Sequence, residues 1–499
     1  MALSGSALEY KPAVAAGSTR RARLAGSAAL ALIGGGVAAF AVVMVLGPSA
    51  AVPKINSAGP LLWLDACPPV GLVIALERLG ALAGALGTVI GLAAAAGGWR
   101  PAPRLLSLFG VIAVTVFVFL PPAGSTDVLN YASYGRIAVL GHSPYITTPA
   151  QLLRWGDPVG LLTPVAWRSM PTIYGPVATA AQWAAAEIGG GSMARIVFWI
   201  RFGKMLAFLA TGATLLKLAG DGHGPSELRR LRVGLLWTAN PLMAFWLVGS
   251  GHVDVFLALL AAAALLAIRR GGVSGGAGAG VLAGAAIAVK FTFAIVAVGL
   301  IWPVRRSVAA ILGGVGAATA TVGISYLWPG ATSTTTMTRR LAAGARFIFY
   351  LPHSLAARPA LLSALVLAAT AGVAMLLLRG LPAEDADIEG VRPMLALAIA
   401  SIVVLPVQTP WYDALIFVLL ALMPASNLDY LLIARCLLLT ELVLPGAGPD
   451  TGTLSTVAAV ISHAGLFFLL AVLVIESVRG RWGLGPVRAR AYECRVETR

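Results

Sequence analysis

The sequence predicts an all-α, polytopic membrane protein, a helical bundle of about 13 or 14 membrane segments with two large external loops. Three observations predict it. Of 499 residues, 59% are hydrophobic and only 11% charged, with a mean hydropathy of +0.87, whereas soluble domains are roughly 45–50% apolar and about 25% charged. Apolar runs of about 18 or more residues recur between short charged or Pro/Gly-rich breaks, the length an α-helix needs to cross a bilayer; membrane barrels use short alternating segments instead. The basic residues behind the net charge of +16 fall mostly in short loops and tails, where they orient helices. Membrane lipids are therefore expected partners and nucleic acid is not.

The spans follow in order. Arg20, Arg21 and Arg23 precede the first apolar run with no small-residue cleavage site, so Leu24 to Leu46 is expected to remain as a span with residues 1–23 in the cytoplasm. The loop holding Trp63 and Asp65 then lies outside, Gly71 to Ala96 returns to the basic GGWRPAPR turn, and Leu105 to Leu120 leads out to the first large outer loop, residues 122–195. Span four ends near Ala219, and Arg229, Arg230 and Arg232 place the next loop inside. Val233 to Val248 and Val255 to Ile268 are read as spans five and six, joined by a tight outer turn. Arg269-Arg270 and Arg305-Arg306 flank a single apolar run. Both pairs can lie inside only if that run folds back around Lys290, as broken helices do where they line a protein cavity. Val308 to Leu327 exits to the second outer loop, residues 328–358. Four more spans lead to a basic cytoplasmic tail, residues 479–499, and the whole chain, 1–499, reads as one integral membrane domain. Cys67, Cys436 and Cys494 fall in a loop, a span and the tail, so no disulfide framework is expected.

An active site on the outer face has no ATP or nucleotide sugar to draw on. Synthesis there must use an activated group carried in the membrane, and a lipid-phosphate sugar fits. Transfer then needs a carboxylate to take a proton from an acceptor hydroxyl and cations to hold the departing phosphate. Asp127, in STDVLNYASYGRIAVLGHSPY just beyond an apolar span, is the candidate carboxylate. It is either that base or the N-cap of an interfacial helix over Val128 to Leu140. On such a helix Tyr131 and Tyr134 share its side, as sugar contacts or as ordinary interfacial aromatics. His252 and Asp254 sit in the outer turn on the same side of the membrane, although Asp254 could simply cap span six. Lys290, within an apolar run, would cost about 2.5–3.5 kcal/mol if unpaired; a phosphate, an acidic side chain or backbone carbonyls would each serve as its partner.

Arg339, Arg340 and Arg346 run against the positive-inside trend on the second outer loop. They suit either a lipid phosphate or anionic membrane lipid. Trp411 and Tyr412 either stack on a sugar or polyprenyl unit or belong to an aromatic belt. Arg201 and Lys204, and Arg435 with Glu441, are read as bundle-interior pairs or snorkelling groups. No cofactor and no metal cluster is expected; Asp127 and Asp254 are the two carboxylates that could hold a divalent cation. A transporter of lipid-linked sugars would share the buried charges but would show broken helices paired between two halves. The sequence offers one break, at Lys290.

Five elements in order carry a family resemblance: Asp127-Val-Leu-Asn-Tyr131 with Gly135-Arg136 and Pro144-Tyr145; Trp167-Arg168 with Pro171 and Tyr174-Gly175-Pro176; Asn240-Pro241-Leu242 with Gly251-His252 and Asp254; Val289-Lys290; and Pro406-Val407 with Pro410-Trp411-Tyr412. Together they resemble the actinobacterial polyprenol-phosphomannose-dependent alpha-1,6-mannosyltransferases of the GT-C class. Ile173, Val253, Phe291 and Gln408-Thr409 depart from that pattern. The resemblance implies a GT-C bundle in the plasma membrane, with its active site on the extracytoplasmic face. It implies a polyprenyl-phosphate mannose donor, a glycan or glycolipid acceptor, and inversion with Asp127 as the base. Within these elements Tyr131, Tyr134, Arg136, Tyr145, Arg168, Tyr174, His252, Asp254, Trp411 and Tyr412 are the candidate substrate-binding residues, and on the charge arguments above Lys290, Arg339, Arg340 and Arg346 are the candidates for lipid phosphate.

Overall fold

The structure, a computed structural model, describes residues 20–55, 59–220, 226–327, 359–382, 390–404, 408–445, 453–480 and 482. Arg339, Arg340 and Arg346, with the rest of the second outer loop, lie outside the described residues, as do Pro406-Val407 and nearly all of both tails. Every regular element among the described residues is helical. Helices α1 (Arg20–Leu46) and α2 (Val70–Ala96) form an antiparallel pair, followed by α3 (Pro103–Phe119). The segment read as the first outer loop holds α4 (Asp127–Val139), the short α5 (Pro149–Arg154) and α6 (Pro158–Leu161), and α7 (Pro176–Gly189). Then come α8 (Met193–Gly220), α9 (Ser226–Val233), α10 (Pro241–Ala244), α11 (Asp254–Ile268), α12 (Gly272–Val289), α13 (Phe293–Ala297) and α14 (Val308–Leu327). The chain closes with α15 (Pro359–Gly380), α16 (Val391–Val404), α17 (Asp413–Leu422), α18 (Asn427–Val443) and α19 (Thr453–Arg479).

Six of the described helices are long and apolar enough to cross a membrane, one further span is a bent pair, and shorter apolar helices complete the bundle. The protein is a polytopic all-α membrane protein. Its spans divide by burial: few residues of α14 or of the 460–479 stretch of α19 are fully buried, whereas more than half of those in α2 and α8 are. Small residues permit the closest crossing. Gly276, Gly280 and Gly284 on α12 face the backbone of Ala310, Gly314 and Ala318 on α14, the small-xxx-small spacing that lets membrane helices touch.

The bent pair is the axis of the bundle, since every residue from 231 to 255 is buried. Sequence reading took Val233 to Val248 as one uninterrupted span; instead Glu227–Thr238 and Pro241–Gly249 meet at 42°. Pro241 has no N–H to continue the helix, and the Asn240 carboxamide oxygen restarts it by accepting from the backbone N–H of Leu242 at 3.0 Å and Met243 at 3.4 Å. A π-helical turn lies on each side of the break, over Gly234–Thr238 and Phe245–Gly249. Apart from Thr238 and Asn240 this stretch is apolar or glycine, so a hydropathy average does not register the bend. Its effect is to deliver the turn 250–253 to the end of the bundle where α4 begins.

The buried cations have partners other than those expected. Arg201 donates through Nε to the Val248 carbonyl at 2.9 Å, and through its terminal nitrogens to the carbonyls of Phe117 and Leu120 at the end of α3, where helical partners run out and the Leu120 N–H also donates to Phe117 at 3.2 Å. Lys204 donates to the Gly251 carbonyl. Neither cation is paired with an acid or snorkelling; both clamp backbone. The expected pairing of Arg435 with Glu441 does not occur: Arg435 pairs with Asp413, and Glu441 with Arg78 at 3.3 Å. Six residues apart on one helix, Arg435 and Glu441 point about 120° away from each other, and each meets a neighbouring helix.

Candidate active site

Helix α4 begins at Asp127, with Thr126 as its N-cap and no side-chain cap hydrogen bond. The carboxylate therefore does not cap the helix. The helical repeat sets Asp127, Asn130, Tyr131 and Tyr134 along one wall of an open cleft, faced by Trp167, Met170 and Tyr174. The phenols of Tyr131 and Tyr174 share a hydrogen bond of 2.9 Å, with their rings edge to face. Tyr134 donates to the Met170 carbonyl at 2.8 Å and accepts from the Asn130 amide at 3.1 Å.

Across Asp127 from this cleft lies a charged cluster. The Nδ1 of His252 is 3.8 Å from the Asp127 carboxylate, and neither ring nitrogen of this buried histidine has a hydrogen-bond partner. The imidazole lies flat on Trp411, with centroids 3.6 Å apart and planes within 8°. Asp254, at the head of α11, receives Lys290 at 2.9 Å, and the same ammonium lies 3.5 Å from the centre of the Tyr412 ring. Asp254 thus holds a lysine and makes no side-chain cap. Lys204 adds a second cation, 4.5 Å from the centre of the Tyr131 ring.

Local backbone explains how such distant residues meet. Gly251 has φ +79, a region that disfavours side chains, and a Cβ there would meet Arg201 and Val128 at 3.1 and 3.2 Å. Lys290 sits where α12 stops, at φ −151 and ψ 114, and the Gly175 N–H donates to the Val289 carbonyl at that end. A Cβ on Gly175 would lie 2.1 Å from the Ala288 carbonyl oxygen, so Gly175→Ala is expected to lift the Tyr174 turn off α12. The measurable result is a loss of about tenfold or more in turnover, with membrane insertion retained. Wild-type turnover in that variant would show that the contact does not position Tyr174.

Electrostatics favour a titratable Asp127. Burial pushes its carboxyl up to about 6, an effect opposed by Lys204, by a hydrogen bond from Tyr131 and by Lys290, and reinforced by Asp254. Burial also holds the phenols of Tyr131 and Tyr174 well above their usual range, so both remain protonated. A carboxylate near neutrality, at the wall of an open cleft, can accept a proton from a hydroxyl placed there.

Of the predicted site residues, Asp127, Tyr131, Tyr134, Tyr174, His252, Asp254, Lys290, Trp411 and Tyr412 gather around this point. Three do not. Arg136 is paired with Asp157 at 2.8 Å, and Asp157 in turn caps α6 through the Val159 N–H. Tyr145 bonds Thr179 at 3.0 Å, and Arg168 donates to the Thr163 carbonyl at 3.0 Å. All three tie the loop segment together. Asn130, Trp167 and Lys204 are neighbours of Asp127 that sequence reasoning did not select. Asn130 and Trp167 stand inside the elements quoted above, next to residues that were chosen, whereas Lys204 carries no local motif at all.

Residues 24–306, more than half of the chain, match the family model described as alpha-(1->6)-mannopyranosyltransferase, N-terminal domain. No curated protein and no solved structure matches the chain. The matched region carries four of the five sequence elements, from Asp127 through Lys290. The chain belongs to the alpha-(1->6)-mannopyranosyltransferase family, a family of membrane glycosyltransferases.

Proposed function

We propose that the protein transfers mannose from polyprenyl-phosphate mannose to a glycan or glycolipid acceptor of the mannan type, on the extracytoplasmic face of the plasma membrane. The product is an alpha-1,6 linkage formed with inversion in a GT-C bundle. The observation that carries this reading is the position of Asp127, with an open, neutral cleft on one side and the His252, Lys204, Asp254 and Lys290 cluster on the other. Asp127 takes the proton of the acceptor hydroxyl as its oxygen attacks the anomeric carbon. The bond from that carbon to the phosphate oxygen breaks on the opposite face, so a beta-linked donor gives an alpha product. Lys290 stabilises the departing phosphate, and Arg339, Arg340 and Arg346 meet the lipid head group. Tyr131, Tyr134, Tyr174, His252, Asp254, Trp411 and Tyr412 contact the sugars. Arg136, Tyr145 and Arg168 support substrate binding by holding the loop. The extracytoplasmic orientation follows from the basic loops at Arg229 to Arg232, Arg269-Arg270 and Arg305-Arg306, which the positive-inside rule puts in the cytoplasm.

The test is mannosyl transfer by purified protein in lipid, with polyprenyl-phosphate mannose and a short alpha-mannoside, comparing the native chain with Asp127→Asn. Linkage and anomeric configuration of the product are read by NMR. A beta product, or transfer from a nucleotide sugar alone, would overturn the reading.

A further inference from the structure

The two sides of Asp127 differ in chemistry in a way that separates the two substrates. Among the described residues, none of Lys204, His252, Asp254 or Lys290 lines the open cleft, and Asp127 is the only ionisable acid or base on its wall apart from the phenols. Among the described lining, a phosphate placed there would meet a carboxylate and no cation, a like-charge contact in a partly dehydrated site. A neutral hexose finds the opposite: aromatic faces at Tyr131, Tyr134, Trp167 and Tyr174 for its C–H surface, and phenol and amide groups for its hydroxyls.

Asn130 adds a specific group. Tyr134 spends its hydroxyl proton on the Met170 carbonyl, so its oxygen receives the Asn130 Nδ2. That polarity assigns the remaining amide atom, Oδ1, as a hydrogen-bond acceptor, and this atom has no partner although the residue is only 5% exposed. An unpaired buried carbonyl oxygen is costly unless a ligand satisfies it. Asn130 also lies one helical turn from Asp127, on the same wall.

We infer that the Asn130 cleft is the subsite for the acceptor's terminal mannose, with Asn130 Oδ1 receiving one of its hydroxyls and so presenting another to Asp127, while the donor phosphate occupies the cationic side. This assignment rests on the transferase reading and divides its two substrates. Asn130 and Trp167 are then specificity residues for the acceptor and not for the donor.

Binding decides it without turnover. The full chain in lipid nanodiscs is titrated calorimetrically with alpha-1,6-mannobiose and, separately, with polyprenyl phosphate, using wild type, Asn130→Leu and Trp167→Ala. Each variant is expected to weaken mannobiose about tenfold, with polyprenyl phosphate unchanged within about twofold. Trp167 makes no side-chain hydrogen bond in the described structure, and its variant keeps the test valid should Asn130→Leu fail to fold. In wild type, a mannobiose analogue lacking the bonded hydroxyl should lose the same factor as Asn130→Leu, and the two losses should not add. Mannobiose binding that is absent in wild type or unchanged in both variants overturns the subsite, as does an equal loss of polyprenyl phosphate. Failure of the transferase reading appears elsewhere, as wild-type protein that binds mannobiose but transfers nothing from the lipid-linked sugar.

Discussion

Asp127→Asn is expected to lower mannosyl transfer by roughly 10²–10⁴-fold, the range for removing a positioned general base, while donor binding persists. The amide is nearly the size of the carboxylate but cannot take the acceptor's proton. Misfolding can be separated from this effect by the sign of the stability change. Burial raises the Asp127 carboxyl from 3.8 to about 6, so the folded protein holds this proton more tightly than the unfolded chain does. The contribution to stability is complete below the unfolded value and is lost as pH rises through about 6. At neutral pH the ionised side chain therefore opposes folding, and the asparagine variant should melt at the same temperature as wild type or higher. A variant that is inactive yet at least as stable identifies a group retained for chemistry. Full activity in Asp127→Asn would move the search for the base to Asp254 and Asp65.

The same shift fixes a pH profile. Asp127 works as a base only when ionised, so kcat/KM should rise with pH through about 6 and level off above it. The charged and titratable groups facing it are Lys204, His252, Asp254, Lys290 and the phenols of Tyr131 and Tyr174. Residual transfer in Asp127→Asn should lack this acid limb. An acid limb that survives there belongs to another group.

The bundle was legible because a bilayer imposes length and apolarity on every span, and a sequence displays both directly. Much of the site was legible for a different reason: short elements at Asp127, Tyr174, His252 and Trp411 each combine a polar or aromatic residue with Gly or Pro, and Lys290 stands out as a lone cation in an apolar run. In space they meet because Gly175 docks on the end of α12, and Gly251 lets the turn after the bent span close over α8. Partner choice among buried charges was not legible. Arg435 meets Asp413, Arg201 meets carbonyls of two other segments, and Arg136 meets Asp157, because helix crossing decides each pairing. The bend at Asn240 does not register in hydropathy because, Asn240 and Thr238 aside, the residues around Pro241 are as apolar as an unbroken span.

Lys290→Met should produce the second large effect, with two separable parts. Its ammonium is held by Asp254 at 2.9 Å and by the face of Tyr412 at 3.5 Å. If this cation also meets the donor phosphate, its loss should raise the donor KM roughly 10- to 100-fold, the value of a charged hydrogen bond. The second part is electrostatic. Lys290 helps to hold Asp127 ionised and Asp254 opposes ionisation, so removing the lysine leaves an unpaired buried carboxylate beside the base. The acid limb should then move above about 6, with transfer depressed more near pH 6 than near pH 9. Adding Asp254→Asn removes the opposing charge as well, which should bring the limb back down and restore stability while the donor KM remains high. An unchanged donor KM in Lys290→Met would make the Asp254–Lys290 pair a structural tie between α11 and the end of α12. Recovery of both quantities in the double variant would mean that the lysine acts through Asp254 alone, because a direct phosphate contact cannot be restored by removing a carboxylate.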